Sequence, residues 1–441
     1  MPVPLIDSLA TTEALAAVFA NESILKAMLD FEAALAHVEA RLGVIPQDAA
    51  DAIAKAAQPE FFDAHALSRA TLRAGTPGIP LVKALTDRVQ AENPNAAGFV
   101  HWGATSQDVA DTAFVLLLKQ VRPLLEADHL RLITALERLA NQHKDTVMLG
   151  RTLLQPAPPV TFGLKAAQWK AAAQRGWSRV NGRLSETLLV QFGGAAGTLA
   201  ALGDQGDSVG RALAAELNLG YPDAPWHTYR DRLAAFVAAC GVDTGTLGKI
   251  ARDISLLMQF EVGEVAEPRG DGRGGSSTMP HKQNPIACSL ALASAHRIPG
   301  LVAAFLSSML QEHERGVGGW QAEWPILADV VQATGLAVAS MAEAAEGLTV
   351  DPSRMCANIE ATRGVIFAER AALLLSAKLG RDRAHELLSQ ASRESVSQKR
   401  RLIAILKEIP EIARAIAPEE LEKLDAPEEY LGAASEFQKR I

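Results

Sequence analysis

Apolar positions recur along this chain at intervals of three and four. Leu125, His129, Leu132, Leu136, Leu139, His143 and Val147 form one such stripe. Leu233, Phe236, Cys240, Leu247, Ile250, Ile254, Leu257, Glu261 and Val265 form a second, with one slip near Gly241. This spacing puts the named side chains on one face of a helix. The stripes predict helices of about 25 and about 35 residues, longer than the usual globular helix. Further helices are expected at about 160–188, 285–311, 325–347 and 354–379. No run alternates apolar and polar residues strongly enough for a central strand. Long helices of this kind pack along one another as a bundle, so the expected fold class is all-α.

Breakers fall between these stretches. Gln155-Pro156-Ala157-Pro158-Pro159 ends one helix and begins another, Gly193-Gly194-Ala195-Ala196-Gly197 reads as a loop, and Pro222-Asp223-Ala224-Pro225 reads as a turn. The densest breaker segment is 268–285. Boundaries near 110 and near Asp351-Pro352 give three expected domains. These are an N-terminal helical domain (1–110), a central long-helix domain carrying the 268–285 loop (111–350), and a C-terminal helical domain (351–441). No internal repeat or low-complexity tract is visible.

Composition supports helices and narrows the partners. The chain has 441 residues, 48% hydrophobic and 21% charged, so it can bury a full core. About 80 alanines and only 5% aromatic residues favour closely packed helices over a sandwich of strands. The formal net charge is -8, and no basic run is present, which argues against nucleic acid and anionic membrane surfaces as partners. No uncharged apolar stretch of about 18 residues appears, so no membrane span is expected. Asp7 and Glu13, without a basic n-region, make the start unlike a secretory signal, and a cytoplasmic setting is expected. Cys240, Cys288 and Cys356 are odd in number and lack CxxC spacing. They signal neither a disulfide framework nor a zinc site, and no metal or organic cofactor is expected.

Three segments carry candidate chemistry. In Gly274-Gly275-Ser276-Ser277-Thr278-Met279-Pro280-His281-Lys282-Gln283-Asn284-Pro285 a glycine-rich approach can expose successive N–H groups. Two hydroxyls, a cation and an amide follow, and Pro285 suits the first turn of a helix whose N-terminus favours an anion. A flexible surface loop is the plainer reading of the same pattern. In His101-Trp102-Gly103-Ala104-Thr105-Ser106-Gln107-Asp108, Thr105 or Ser106 suits a helix cap with Asp108 in the first turn. A hydroxyl pair there is also a carboxylate site. In Gly150-Arg151-Thr152-Leu153, Arg151 could clamp a carboxylate or offset the dipole of the preceding helix. Trp226, Trp320 and Trp324 are read in loop-like positions near the motifs 226–231 and 313–315, where they could wall a pocket or pack in the core.

Together these loops resemble the fumarase/aspartase superfamily. Its signature GSSxMPxKxNP matches 275–285 at every fixed position, and 105–108 and 150–152 look like its other shared blocks. The resemblance implies a three-domain subunit whose long helices join a homotetrameric helical core, with each active site assembled from three subunits. It implies Ser276, Lys282 and Asn284 as catalytic residues. It implies His101, Thr105, Ser106, Arg151, Thr152, Ser277, Met279 and Arg315 as substrate contacts, with His281 and His313 left ambiguous.

Within the superfamily, lyases of the argininosuccinate and adenylosuccinate kind carry a proton-donating histidine directly after the Gly-Arg-Thr block. Here that residue is Leu153. The stretches GRTLLQPA, QFGGAAGTLAALG, PWHTYRDR and HERGVGGWQAEW instead resemble the superfamily's lactonising cycloisomerases. That likeness implies a small tricarboxylate substrate, one of whose carboxylates adds across a conjugated double bond. A proton then goes to the carbon α to another carboxylate. Lys282, Asn284 and the loop N–H groups would stabilise the doubly negative aci-carboxylate intermediate, usually the largest catalytic term. Ser276 would carry the proton. A fumarate-releasing lyase and a catalytically silent structural homologue are the alternatives.

Overall fold

A computed structural model describes residues 5–270, 274–275, 278–279 and 281–441. Helices dominate, as expected. α1 (Glu13–Val18), α2 (Asn21–Arg41), α3 (Gln47–Ala56), α4 (Ala64–Ala74) and α5 (Gly78–Glu92) come first. α6 (Ser106–Gln142) leads into an antiparallel hairpin of β1 (Val147–Thr152) and β2 (Gln155–Thr161). α7 (Phe162–Thr187), α8 (Gly206–Glu216) and α9 (Asp231–Leu257) follow, then the short strand β3 (Val265–Ala266). α10 (Ile286–Ser308) and α11 (Gly319–Glu346) precede β4 (Thr349–Val350), which pairs with β3. α12 (Pro352–Ala361), α13 (Ala368–Leu379), α14 (Arg381–Gln398) and shorter helices up to Arg440 complete the chain.

The helices begin and end differently from the stripes in several places. α6 has 37 residues and α9 has 27, reversing the expected order of length. Val147 leaves the first stripe to open β1, and Val265 leaves the second to open β3. Between α9 and Val265 the chain turns at Gly263, whose φ of +62° is left-handed and suits glycine. The span 354–379 is two helices, broken at Gly364 with φ +78°. Trp320 and Trp324 are not in a loop; they occupy the first two turns of α11, where Trp320 is buried.

The chain forms two compact units. The first comprises Met1–Leu130, Arg175–Gly248 and Leu290–Ser340; the second comprises Arg131–Gln174, Lys249–Ser289 and Met341–Ile441. The expected N-terminal domain (1–110) thus lies in the first unit and the C-terminal one (351–441) in the second, while 111–350 is divided between them.

Close helix contact in the first unit uses the small residues. Ala110, Ala113, Ala333 and Ala337 are fully buried. A Cβ on Gly335 would sit 2.1 Å from the Leu15 side chain, so glycine is what lets Leu15 seat there. His129, an outlier in its apolar stripe, is buried with both ring nitrogens engaged: Nδ1 lies 2.7 Å from the Leu125 carbonyl and Nε2 3.0 Å from Asp243. In the second unit, Leu149 of β1 packs with Ile359, Ile366 and Phe367, while Leu375, Leu387, Leu388, Leu402 and Ile405 build a separate C-terminal core.

By length and mean hydropathy α9, α10 and α11 would each be long enough to cross a membrane. The expectation of no span considered only uncharged runs. α9 and α11 bury 61% and 67% of their apolar windows inside the protein, which accounts for their composition as core; α10 buries only 28%.

Candidate active site

The first unit holds the turn 101–105 and the start of α6. His101 (φ +59°) and Gly103 (φ +69°) bend the chain sharply before the helix begins at Ser106. Asp108, in the first turn, is fully buried and accepts four hydrogen bonds. The Thr105 N–H donates to it at 3.0 Å, closing the helix start on itself. The Gly193 and Gly194 N–H groups donate at 3.1 and 2.9 Å, and His227 Nε2 lies at 2.7 Å. Three separate segments are therefore pinned to one carboxylate. Thr105 keeps its hydroxyl free of capping and accepts from Arg315 Nη1 at 2.9 Å. Burial lowers the Arg315 pKa, and Asp108 and Asp111 oppose that shift. His101 Nδ1 lies 2.6 Å from Glu32 Oε1.

One turn further along α6, Asp111 anchors a second buried network. Arg230 grips it with both terminal nitrogens at 2.7 and 3.1 Å, and Trp320 Nε1 and Gln107 Nε2 donate at 2.9 and 3.1 Å. Arg230 also donates to Glu323 at 2.8 Å. Burial would raise the Asp111 carboxyl, but the Arg230 guanidinium holds it below its ordinary range. Glu323 goes the other way: burial pushes it up to about 7, against the pull of Arg230. Most polar residues of the 226–231 motif are accounted for by these contacts. His227 and Arg230 each hold a carboxylate of α6, and Trp226 Nε1 donates to the Val190 carbonyl at 3.1 Å. His313 is exposed, and its carbonyl accepts from Thr228 at 3.0 Å.

The second unit holds the hairpin and the described residues of the signature loop. Arg151 of β1 forms a two-pronged ion pair with Glu264, at 2.9 and 2.7 Å, and Asn358 donates to the same carboxylate at 2.7 Å. Thr152 is exposed. Leu153 and Leu154 form a two-residue turn with φ of +51° and +64°, and they are 97% and 75% exposed. Both angles belong to the turn type that favours Asn-Gly, so a pair of leucines there is strained. A cavity of about 620 Å³ beside the hairpin is lined by Arg151, Gln155, Asn358 and Arg363 with Leu149 and Ile366. Lys165, half-buried near Asp253, Arg151 and Glu264, has its pKa lowered chiefly by burial; nothing in its sequence context singled it out.

At the loop, Gly274 is buried with φ +66°, and its carbonyl accepts from the Asn284 N–H at 2.9 Å. Ser276 and Ser277 lie outside the described residues. Met279 and Lys282 are exposed and joined by a turn hydrogen bond of 3.0 Å. His281 is exposed. The α10 N-terminus, expected to favour an anion, already has one. Glu267 is buried and accepts from the Ala287 and Cys288 N–H groups at 3.0 and 2.9 Å. Among the described residues no group of three or more His, Cys, Asp or Glu side chains is placed to hold a metal ion.

Of the residues expected at the site, Thr105 and Arg315 meet in the first unit, which also holds His101 and Ser106. Arg151, Thr152, Met279, Lys282 and Asn284 belong to the second unit. Sequence reasoning missed Glu32, Glu264 and Glu323, whose histidine or arginine partners lie 69 to 113 residues away.

Comparison with known proteins shows the family. The family model described as Lyase matches residues 9–300, and that for the adenylosuccinate lyase C-terminus matches 364–441. A 3-carboxy-cis,cis-muconate cycloisomerase of Bradyrhizobium diazoefficiens is 46% identical over 99% of this chain and 97% of its own. One from Pseudomonas aeruginosa is also 46% identical, over 96% and 92%. A nitrosuccinate lyase of Streptomyces davaonensis is 43% identical over 93% and 88%. The crystal structure of the 3-carboxy-cis,cis-muconate lactonizing enzyme from Pseudomonas putida superposes with a TM-score of 0.92 at 44% identity, covering 99% of this chain and 97% of that one. The chain belongs to the lyase family of the fumarase/aspartase superfamily.

Proposed function

We propose that this chain is a lactonising cycloisomerase that closes 3-carboxy-cis,cis-muconate to 4-carboxymuconolactone, in the protocatechuate branch of aromatic degradation. The observation that carries the reading is the hairpin tip: Leu153, aprotic and almost fully exposed, stands where related lyases place a proton donor. In the reverse direction the cycloisomerase expels a carboxylate, which is stable as an anion and needs no proton. A reaction with an amine leaving group would need one. The full-length relatives that bear the cycloisomerase name support the same choice.

In the forward reaction one substrate carboxylate attacks the conjugated diene, and Ser276 delivers the proton to the carbon α to another carboxylate. A serine hydroxyl does this only where its alkoxide is stabilised by N–H groups and a cation. Lys282, Asn284 and the backbone of 274–280 supply them and hold the aci-carboxylate intermediate. Loss of one such donor lowers the rate about a hundredfold or more. His101, Thr105, Ser106, Thr152, Ser277, Met279 and Arg315 contact the substrate, and Arg151 joins them with its guanidinium shared with Glu264.

The working form is a cytoplasmic homotetramer with sites shared between subunits. Support comes from α10, whose exposed Ser289, Ala293, His296, Gly300, Ala303 and Ser307 follow a three-four spacing on a helix that buries little of itself. All of these but His296 are small, which lets a second copy's helices approach closely.

One relative favours a second reading. Elimination of nitrite from nitrosuccinate would also expel a stable anion, so Leu153 suits it equally well. Steady-state kinetics with 3-carboxy-cis,cis-muconate and with nitrosuccinate separate the two. The cycloisomerase reading predicts a kcat/KM at least a hundredfold higher for the muconate, with Ser276→Ala abolishing turnover while substrate still binds. Fumarate release from nitrosuccinate without diene loss would overturn it.

A further inference from the structure

α2 buries two carboxylates, Glu32 and Glu39, seven residues apart and therefore on the same face two turns from each other. They are 1% and 0% exposed. Neither is matched by a cation in the way Asp111 and Glu323 are matched by Arg230. Glu32 Oε1 lies 2.6 Å from His101 Nδ1, while Glu32 Oε2 and both Glu39 carboxyl oxygens have no hydrogen-bond partner among the described residues. Two buried anions on one helix face, with a single imidazole against one of them, would be very costly. The charge is relieved at Glu39. Burial, reinforced by Glu32, pushes its pKa up to about 9, so it keeps its proton at neutral pH.

Glu32, the other carboxyl group of the pair, faces His101. Burial alone would lower the His101 pKa; the ion pair and hydrogen bond to Glu32, with Asp108 of α6 behind, raise it instead. The other charged groups around this turn are already engaged. Asp108 is paired with His227, and Arg315 donates to Thr105. The His101 backbone is itself in the left-handed region, a conformation that persists only where the surroundings hold it.

We infer that Glu32 is a positioning residue: through Nδ1 it fixes the His101 ring and favours the form with both nitrogens protonated, in which the opposite Nε2–H is a charged donor to a substrate carboxylate. Glu39, carrying its proton, adds no second charge to that helix face. This rests on the proposed contact between His101 and a carboxylate substrate, but the tie between Glu32 and His101 is measurable without any substrate.

The test uses the full-length protein with its histidines carbon-13 labelled at Cε1. His101→Gln identifies the His101 resonance, and the ring is titrated by NMR. Wild type should titrate above the ordinary imidazole value, Glu32→Gln should move the midpoint down by about one unit or more, and Glu39→Met should leave it in place. In kinetics, Glu32→Gln should raise KM for 3-carboxy-cis,cis-muconate about tenfold at pH 8 and much less at pH 6, with kcat changed less. An ordinary or lowered wild-type midpoint overturns the inference even if Glu32→Gln fails to fold. An unmoved midpoint in a folded Glu32→Gln, or a loss of activity equal at every pH, overturns it as well. If the ring titrates as expected but wild type leaves the muconate unchanged, the tie stands and the proposed substrate falls.

Discussion

Two sets of buried carboxylates in the first unit meet the same problem with different chemistry. Asp111 and Glu323 flank one guanidinium, and the indole of Trp320 and the amides of Gln107 and Gln311 satisfy further lone pairs. Glu32 and Glu39 have a single imidazole between them and rely on a retained proton. The difference is one of purpose as well as cost. Asp111, gripped by both terminal nitrogens of Arg230, is held below its ordinary range and makes a rigid brace, whereas Glu323, pushed up to about 7, shares the same guanidinium and titrates near neutrality. A charge balanced by a proton makes its surroundings depend on pH, and here those surroundings are a residue expected to touch substrate.

The comparison breaks most visibly at Arg230. Arg230→Met leaves two buried carboxylates without their cation and should destabilise the protein by about 3–5 kcal/mol. Thermal denaturation should show a large fall in Tm or no folded protein. A smaller loss is expected at Asp108. Asp108→Asn places an amide N–H₂ among four donors, and the expected cost is about 1.5–3 kcal/mol, together with a weakened KM because the 101–108 turn loosens. Denaturant titration and steady-state kinetics on the same preparation check both effects.

Glu39→Met should have the opposite sign. The unfolded chain ionises this residue near 4.5, whereas the folded chain holds the proton up to about 9. Wild-type stability therefore falls as pH rises through that window. The methionine variant should be more stable at pH 8, by about 1–2 kcal/mol, and its Tm should vary less between pH 5 and pH 8. An equal change in Tm at both pH values would remove Glu39 from the account. The smallest effect is expected at the hairpin. Leu154→Gly relieves a left-handed leucine at the expense of unfolded-chain entropy, a net gain of about 0.5–1 kcal/mol, readable as a rise in Tm with an unchanged core.

The long helices and the signature block were legible in the sequence because both are local patterns. Helix ends were less so. Val147 and Val265 continue the three-four spacing, yet each opens a strand, because pairing with β2 and with β4 wins over local periodicity. The β1–β2 hairpin was hidden by its own turn, since Leu153-Leu154 carries none of the usual turn chemistry. The buried ionic groups were the least visible. No pattern in the sequence marked Glu32, Glu39 or Glu264. Only the fold brings Glu32 to His101 and Glu264 to Arg151.

The central claim is that the chain forms a lactone by intramolecular carboxylate addition with proton delivery to the α carbon. Turnover of 3-carboxy-cis,cis-muconate in D₂O, followed by diene absorbance and product NMR, tests it most directly. The account predicts loss of the diene and a lactone carrying one deuterium on the carbon next to the carboxylate. A persistent diene, or a lactone without that deuterium, would contradict it.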